Sequence, residues 1–265
     1  MDLQLKGRRA VVTGSSGGIG EAIARRLAAE GAAVVVHGRG IEGVRAVTEA
    51  ITADGGDARG LAADLAVPAD CDRFILDVLV GGGVDILVNN AGAFVNRGWD
   101  EATPGDWLEL YAVNVAAAVR CIQGFVPAMR TRRWGRVIQI GTGEAINPFP
   151  FMPDYAASKA ALLNLTVSLA KHLDRTGVTV NTVSPGIVVT PGVARFYRSE
   201  AVRRGWGQDW QAIQAGVLAE ILDNPTGRLG TPREVADLVA FVASPLAGYI
   251  NAANLRIDGG STAVV

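Results

Sequence analysis

Short runs of apolar, mostly β-branched residues recur along this chain, and each is trailed by a longer stretch in which apolar residues return every three or four positions. The runs are Ala10–Thr13, Ala33–His37, Ala58–Ala62, Val84–Asn89, Arg136–Ile140, Val178–Val183 and Asn254–Ile257. Most lack the in–out alternation of a half-exposed strand. Both of their faces must therefore be covered, as in a parallel sheet between helices. Ile19, Ile23 and Leu27 are spaced four apart and share one helical face. Asp106–Arg132 and Asp154–Asp174 predict longer helices, and Gly31 and Gly177 follow helices where a C′ glycine sits. Strand–helix–strand repetition implies right-handed crossovers. The predicted fold is α/β, a single doubly wound parallel sheet of seven strands flanked by helices, in one domain over residues 1–265. The rhythm breaks over Pro185–Pro232, which holds Phe196, Tyr197, Trp206 and Trp210. This reads as a helical insertion before the last βα unit, with 190–230 covering the substrate.

In such sheets ligands bind beyond the carboxyl ends of the strands, so the residues there are the candidates for chemistry. The first strand runs into Thr13-Gly14-Ser15-Ser16-Gly17-Gly18-Ile19-Gly20. A glycine turn between strand and helix lets the backbone approach a pyrophosphate, and the helix N-terminus then offers free N–H groups. The second strand ends in His37-Gly38-Arg39. No acid stands at Gly38 to exclude a 2′-phosphate, and the Arg39 guanidinium suits one. Ser15 and Ser16 are possible hydroxyl donors to the same group, and His37 reads as a packing residue. This favours NADP(H) over NAD(H). Asp64 and Asn89-Asn90-Ala91-Gly92 close the third and fourth strands. Tyr155 and Lys159 are four apart on a helix, hence on one face. A phenol with an ordinary pKa near 10 has to fall by about 3 units to act as a base near neutrality, and a neighbouring ammonium pushes that way.

Composition narrows the class. The chain has 265 residues, 49% of them hydrophobic, and a net charge of -1. That argues against disorder and against a nucleic-acid surface. Cys71 and Cys121 form no CxxC pair and read as buried thiols, so nothing requires an oxidising compartment. Met1–Lys6 carries both signs of charge, and no apolar run reaches the roughly 18 residues of a membrane span. The expectation is a cytoplasmic protein with no membrane, nucleic-acid or metal partner.

Together the motifs resemble the short-chain dehydrogenase/reductase superfamily, and within it the compact members such as 3-oxoacyl-carrier-protein reductases. The likeness spans roughly Gly7 to Gly260. It rests on the TGxxxGxG turn at Thr13–Gly20, NNAG at Asn89–Gly92, YxxxK at Tyr155–Lys159, and Pro185-Gly186 with Thr190. The resemblance implies a Rossmann-type fold, a homotetramer, and Tyr155 as general acid/base, with Lys159 holding the nicotinamide ribose and lowering the tyrosine pKa. Asn114 matches the asparagine that supports a proton relay. The implied cofactor contacts are Gly14, Ser15, Ser16, Gly18, Ile19, Gly20, Arg39, Asp64, Leu65, Asn90, Ala91, Gly92, Tyr155, Lys159, Pro185, Gly186, Val188 and Thr190. One position departs from the pattern. The family serine 13 residues before the tyrosine is Thr142 here, whose hydroxyl has the same donor and acceptor capacity but whose methyl adds bulk.

The expected activity is hydride transfer between NADP(H) and a small carbonyl or secondary-alcohol substrate. An alternative is a 3-oxoacyl-thioester reductase served by a carrier protein that Arg130, Arg132, Arg133 and Arg136 attract, although these arginines read more simply as a solvated helix end. A nucleotide-sensing protein with a dead site is the remote third reading, opposed by the intact Tyr155–Lys159 pair. Pocket walls from Glu144–Asp154, with Phe149, Phe151, Met152 and three prolines, and from Thr190–Leu222 point to a nonpolar substrate.

Overall fold

A computed structural model describes residues 1–262. Residues 263–265, the end of the expected domain, lie outside the described residues. Among the described residues, seven parallel strands form one sheet: β1 (Arg9–Val12), β2 (Ala33–Gly38), β3 (Asp57–Ala62), β4 (Ile86–Asn89), β5 (Gly135–Ile140), β6 (Val178–Pro185) and β7 (Asn254–Ile257). Their order is β3-β2-β1-β4-β5-β6-β7. The chain reverses its direction of travel across the sheet between β1 and β4, and the crevice that opens there is where a doubly wound sheet takes its ligand. In register, Val12 lies beside Val36 and Val88, so the carboxyl ends of β1, β2 and β4 are level.

The continuous apolar runs have the predicted cause. One face of the sheet packs on α1 (Gly18–Ala29), α2 (Ile41–Ala53) and α9 (Pro232–Ala243), through Val12, Val34, Ile86 and Ile138 against Ile23, Leu27 and Val239. The other packs on α3 (Pro68–Val80), α5 (Ala117–Arg132) and α6 (Pro153–His172), through Val11, Leu87, Val137 and Val180 against Phe74, Phe125 and Ala170. Ile23 and Leu27 are fully buried, each contributing about 1.5–3 kcal/mol of transfer free energy. Cys71 and Cys121 are buried free thiols, as expected.

Two sequence expectations change. The Asp106–Arg132 helix starts earlier, as α4 (Pro104–Tyr111), and is broken by a π-helical turn at Ala112–Ala116 before α5. Over Pro104–Arg132 this helix is long and apolar enough to cross a membrane by length and composition. Here α5 lies against the sheet with Cys121, Phe125 and Met129 in the core, which is why it is apolar. Gly31 does follow α1 with positive φ, but Gly177 is not a helix C′ residue. α6 ends at His172, a turn intervenes, and Gly177 passes against the Arg133 backbone, where a Cβ has no room. The insertion consists of two helices, α7 (Pro191–Arg204) and α8 (Trp210–Glu220), with a small core of their own around Tyr197, Ala201, Ile213 and Val217.

Candidate active site

The glycine turn after β1 is held by three strand ends at once. Gly14 has φ +64°, and a Cβ there would stand 2.8 Å from the Ala91 Cα. At Gly20 a Cβ would collide with the Gly14 carbonyl. Asn90 donates from Nδ2 to the Thr13 and Gly14 carbonyls at 2.9 and 3.0 Å. The Thr13 hydroxyl accepts from the Asn90 and Ala91 N–H groups. The Asn90-Ala91-Gly92 segment is therefore a brace for the turn as well as part of its floor. Gly17 is the N-cap of α1 and contributes no capping side chain. With Glu21 as the first residue to bond back to Gly17, the first-turn N–H groups are left for an anion.

His37 fastens the turn from the side, a role the sequence reading did not give it. Its Nδ1 accepts from the Gly14 N–H at 3.0 Å, so Nε2 carries the proton and faces the Ala63 carbonyl at 3.2 Å. Burial pushes its pKa down to about 4, against a smaller upward pull from the Ala63 carbonyl. The ring meets Phe74 edge-on. The one signal for this was a titratable residue in an otherwise apolar strand.

Ser15 does not meet its expectation as a hydroxyl donor to phosphate. It is fully buried, its hydroxyl donates to the Val12 carbonyl at 2.7 Å, and it accepts from the His37 N–H. Both hydroxyl contacts are used inside the turn. Ser16 remains partly open, against Gly38, where any side chain would strike the serine hydroxyl. Sterics thus add to the charge argument at the end of β2. Arg39 follows it, exposed. Asp64 accepts from the Ala66 N–H at 3.0 Å, and the Leu65 side chain lies in the core, so only its backbone could face a ligand.

On the far side of the crevice, Tyr155 sits in the first turn of α6. Buried Asp154 fixes that turn. Its Oδ1 accepts from the Tyr155 N–H at 2.8 Å, and its Oδ2 takes the Arg97 fork at 3.0 and 2.9 Å. Arg97 lies in the segment after β4, so it ties this segment to the tyrosine. One helical turn on, the buried Lys159 Nζ donates to the Ile140 carbonyl at 2.9 Å, and it lies 5.9 Å from the Tyr155 ring centre. Asn114 is on the π-helical turn. Its Oδ1 accepts from the Ala93 N–H, and its Nδ2 donates to the Ala93 carbonyl and to Ser158. A Cβ on Gly92 would stand 3.1 Å from Asn114 Oδ1 and 3.3 Å from Lys159 Nζ. The four catalytic candidates and NNAG thus converge.

Burial raises the Tyr155 pKa above its ordinary value, the Glu144 carboxylate raises it further, and only a hydrogen bond with Thr142 pulls it down. The Lys159 ammonium donates to the Ile140 carbonyl, and its own pKa is lowered by burial to about 8. Thr142 closes β5, and its hydroxyl also accepts from the Glu144 N–H at 3.4 Å.

A cavity of about 630 Å³ runs from Gly17, Ile19, Asn90 and Gly92 to Thr142 and Tyr155, and on to Val193, Phe196 and Tyr197 of α7. Gly186, Val188 and Thr190 line it, while Pro185 is the buried end of β6. Thr190 caps α7 through the Val193 N–H, and its methyl is the neighbour a Cβ on Gly18 would meet at 3.3 Å. Two expectations are corrected here. The wall is not purely apolar, since Glu144, Asn147, Glu200, Arg203 and Arg204 share it with the aromatics. The tryptophans do not face the cavity; Trp206 packs on Gly216 and donates to Glu220 at 2.7 Å, joining α7 to α8. Of the four arginines offered for a carrier protein, Arg130, Arg132 and Arg133 are exposed at the end of α5 and only Arg136 lies in the interior. Arg136 is buried over Trp134, and Arg132 and Arg133 bond the Val84 and Arg175 carbonyls.

The residues present fit a dinucleotide. A cradle that a Cβ on Gly14 or Gly20 would fill opens on an uncapped helix start, and the same cavity leads to Tyr155.

Comparisons with known proteins agree. The family model for the short chain dehydrogenase matches residues 8–201. The 3-oxoacyl-[acyl-carrier-protein] reductase FabG of Escherichia coli is 34% identical over 259 residues, covering 97% of this chain and 98% of that protein. The L-sorbose reductase of Gluconobacter frateurii, in complex with NADPH and L-sorbose, superposes with a TM-score of 0.94 at 33% identity, over 100% of both chains. A 3-oxoacyl (acyl-carrier-protein) reductase of Agrobacterium tumefaciens with NADP bound gives 0.89 at 36% identity, over 98% of this chain and 96% of that one.

Proposed function

The chain belongs to the short-chain dehydrogenase family, and from that premise we propose that it transfers a hydride between NADP(H) and a carbonyl or secondary alcohol, with Tyr155 moving the proton. The observation that carries this reading is the single cavity joining the glycine cradle to Tyr155 and Thr142. NADP(H) accords with the cofactors held by the two structures and with Gly38-Arg39. When bound, the nicotinamide supplies or accepts the hydride.

The chain's own residues do the rest. Thr142 and Tyr155 hold the substrate oxygen between two hydroxyls. The phenol is protonated at neutral pH, since burial and Glu144 raise its pKa above an already high ordinary value, so Tyr155 Oη is set to give its proton to the carbonyl oxygen during reduction. Lys159 has donors left beyond the Ile140 carbonyl, and these bind the nicotinamide ribose. An incoming positive charge beside Tyr155 lowers its pKa, which oxidation in the reverse direction requires. Asn114 positions Ala93 and Ser158 around this pair. The helices over 190–230 cover the substrate. The exposed Trp99 and Leu108 supply apolar surface for assembly as a homotetramer.

A second reading, a 3-oxoacyl-thioester reductase, is favoured by the likeness to the Escherichia coli and Agrobacterium tumefaciens enzymes. One experiment tests both. Purified protein is assayed for oxidation of NADPH and of NADH against ketones, ketoesters and 3-oxoacyl thioesters, in wild type and Arg39→Ala. NADPH is expected to be the better reductant, and the mutation to narrow that preference roughly tenfold or more. A wild-type preference for NADH, or an unchanged ratio in Arg39→Ala, would contradict the assignment of Arg39.

A further inference from the structure

Among the described residues, Glu144 is the one acidic residue on the cavity wall that no cation holds. It lies two residues beyond Thr142, on the 3-10 turn Gly143–Ala145 that follows β5. Its Oε2 is buried and makes no hydrogen bond. By contrast, the other carboxylate on that wall, Glu200, is ion-paired with Arg203 and Arg204 at 3.2 Å each. Leaving a carboxylate oxygen buried and unpaired costs about 1–3 kcal/mol or more, so a residue in this state is at odds with stability unless a ligand completes it. The field of Glu144 reaches both Tyr155 on α6 and Tyr197 on α7. The carboxyl group thus faces the space between the phenol that would deliver the proton and the helix that closes the cavity.

Resting on the hydride-transfer reading above, we propose that Glu144 is a substrate-specificity residue whose carboxyl group binds a hydroxyl on the carbon next to the reacting one, so that α-hydroxy ketones and the corresponding vicinal diols are preferred over simple ketones. The placement follows from the chain. Thr142 and Tyr155 fix the reacting oxygen, and Glu144, two residues from Thr142, reaches the next functional group along the substrate. A hydroxyl is the matching partner because it can donate to the carboxylate and accept from the carboxylic acid. Burial raises the Glu144 pKa to about 7, so both forms are present near neutrality. The anion is the stronger acceptor. The ionisable groups facing it are Tyr155, with Lys159 behind it, and Tyr197; Glu200 and its two arginines lie further along the wall.

The test compares kcat/KM for acetoin and butanone, which differ by one hydroxyl beside the carbonyl, with NADPH as reductant. Cyclohexanone and its α-hydroxy derivative make a larger pair. Wild type is set against Glu144→Gln and Glu144→Leu. Because intrinsic reactivity is common to all three proteins, the change in the hydroxyketone-to-ketone ratio is the readout. That ratio is expected to fall by roughly 10- to 100-fold in Glu144→Leu and by less in Glu144→Gln, whose amide still hydrogen-bonds. In wild type the ratio should rise as pH passes through about 7, and in Glu144→Gln it should stay flat. Titrations shared by both substrates cancel from it. The same ratio in all three proteins would overturn the proposal while leaving hydride transfer intact. No oxidation of NADPH by any ketone would overturn the hydride-transfer reading, and this one with it. Loss of folding in Glu144→Leu leaves Glu144→Gln and the pH dependence to decide.

Discussion

At the scale of single residues, the reaction depends on a buried phenol, Tyr155, and on a buried ammonium, Lys159, that donates to the Ile140 carbonyl. Tyr155 and Lys159 were legible because a helix brings positions four apart together. Their protonation was not, because it depends on what surrounds them: the Ile140 carbonyl that engages Lys159, and the Glu144 carboxylate that opposes ionisation of Tyr155. Ser15 was misread for a similar reason, since only the fold shows its hydroxyl turned inward to Val12. A testable consequence follows from Lys159. Burial lowers its pKa to about 8, so the ammonium proposed to grip the cofactor ribose is present below that pH and lost above it. The dissociation constant for NADPH should therefore be constant from about pH 6.5 to 7.5 and weaken through pH 8 to 9.5, whereas Lys159→Ala should bind weakly with no such dependence. Equilibrium titration by quenching of protein fluorescence measures both. A wild-type affinity independent of pH over that range would remove Lys159 from cofactor binding.

At the scale of elements, the strands were readable because their runs are apolar on both sides, and the sheet has helices on both sides. What the pattern could not show is where a helix changes pitch. Asn114 sits on the π-helical turn between α4 and α5, and apolar spacing continues smoothly through that point. Such turns often mark functional positions; here the turn lets the Asn114 amide reach the Ala93 backbone after β4 and Ser158 on α6. Nor could it show that β2 supplies a clamp. His37 holds Gly14 only as neutral imidazole, because Nδ1 must accept. Its pKa falls from about 6.5 in the unfolded chain to about 4 in the fold. The folded state therefore binds fewer protons between these values, and stability rises with pH there. The contribution is complete above about pH 6.5 and is lost as pH falls through 4, to a limit of about 3 kcal/mol. Urea unfolding at pH 7 and at pH 4.5 should show a smaller acid loss in His37→Gln than in wild type, with the mutant already weaker at pH 7. Equal acid losses in the two proteins would show that His37 does not titrate on unfolding.

At the scale of the whole molecule, the alternation of runs and amphipathic stretches foretold a parallel sheet, and the level carboxyl ends of β1, β2 and β4 are what gather the motifs. Glycine turn, NNAG and YxxxK are separated in sequence but open on one cavity. The character of that cavity was the least legible feature. Its aromatics were foreseen, but Glu144, Glu200, Arg203 and Arg204 reach it from a turn and a helix face that only the folded chain brings together. The tryptophans were misassigned because large apolar residues serve equally to cover a ligand and to join α7 to α8. The proposed hydride transfer depends on one proton, that of the Tyr155 hydroxyl. In Tyr155→Phe the ring remains and the hydroxyl is gone, so ketone-dependent oxidation of NADPH should fall by about 100-fold or more while the affinity for NADPH stays close to that of wild type. A variant that binds NADPH normally and keeps more than about a tenth of the wild-type rate would contradict the account, because another group would then be delivering the proton.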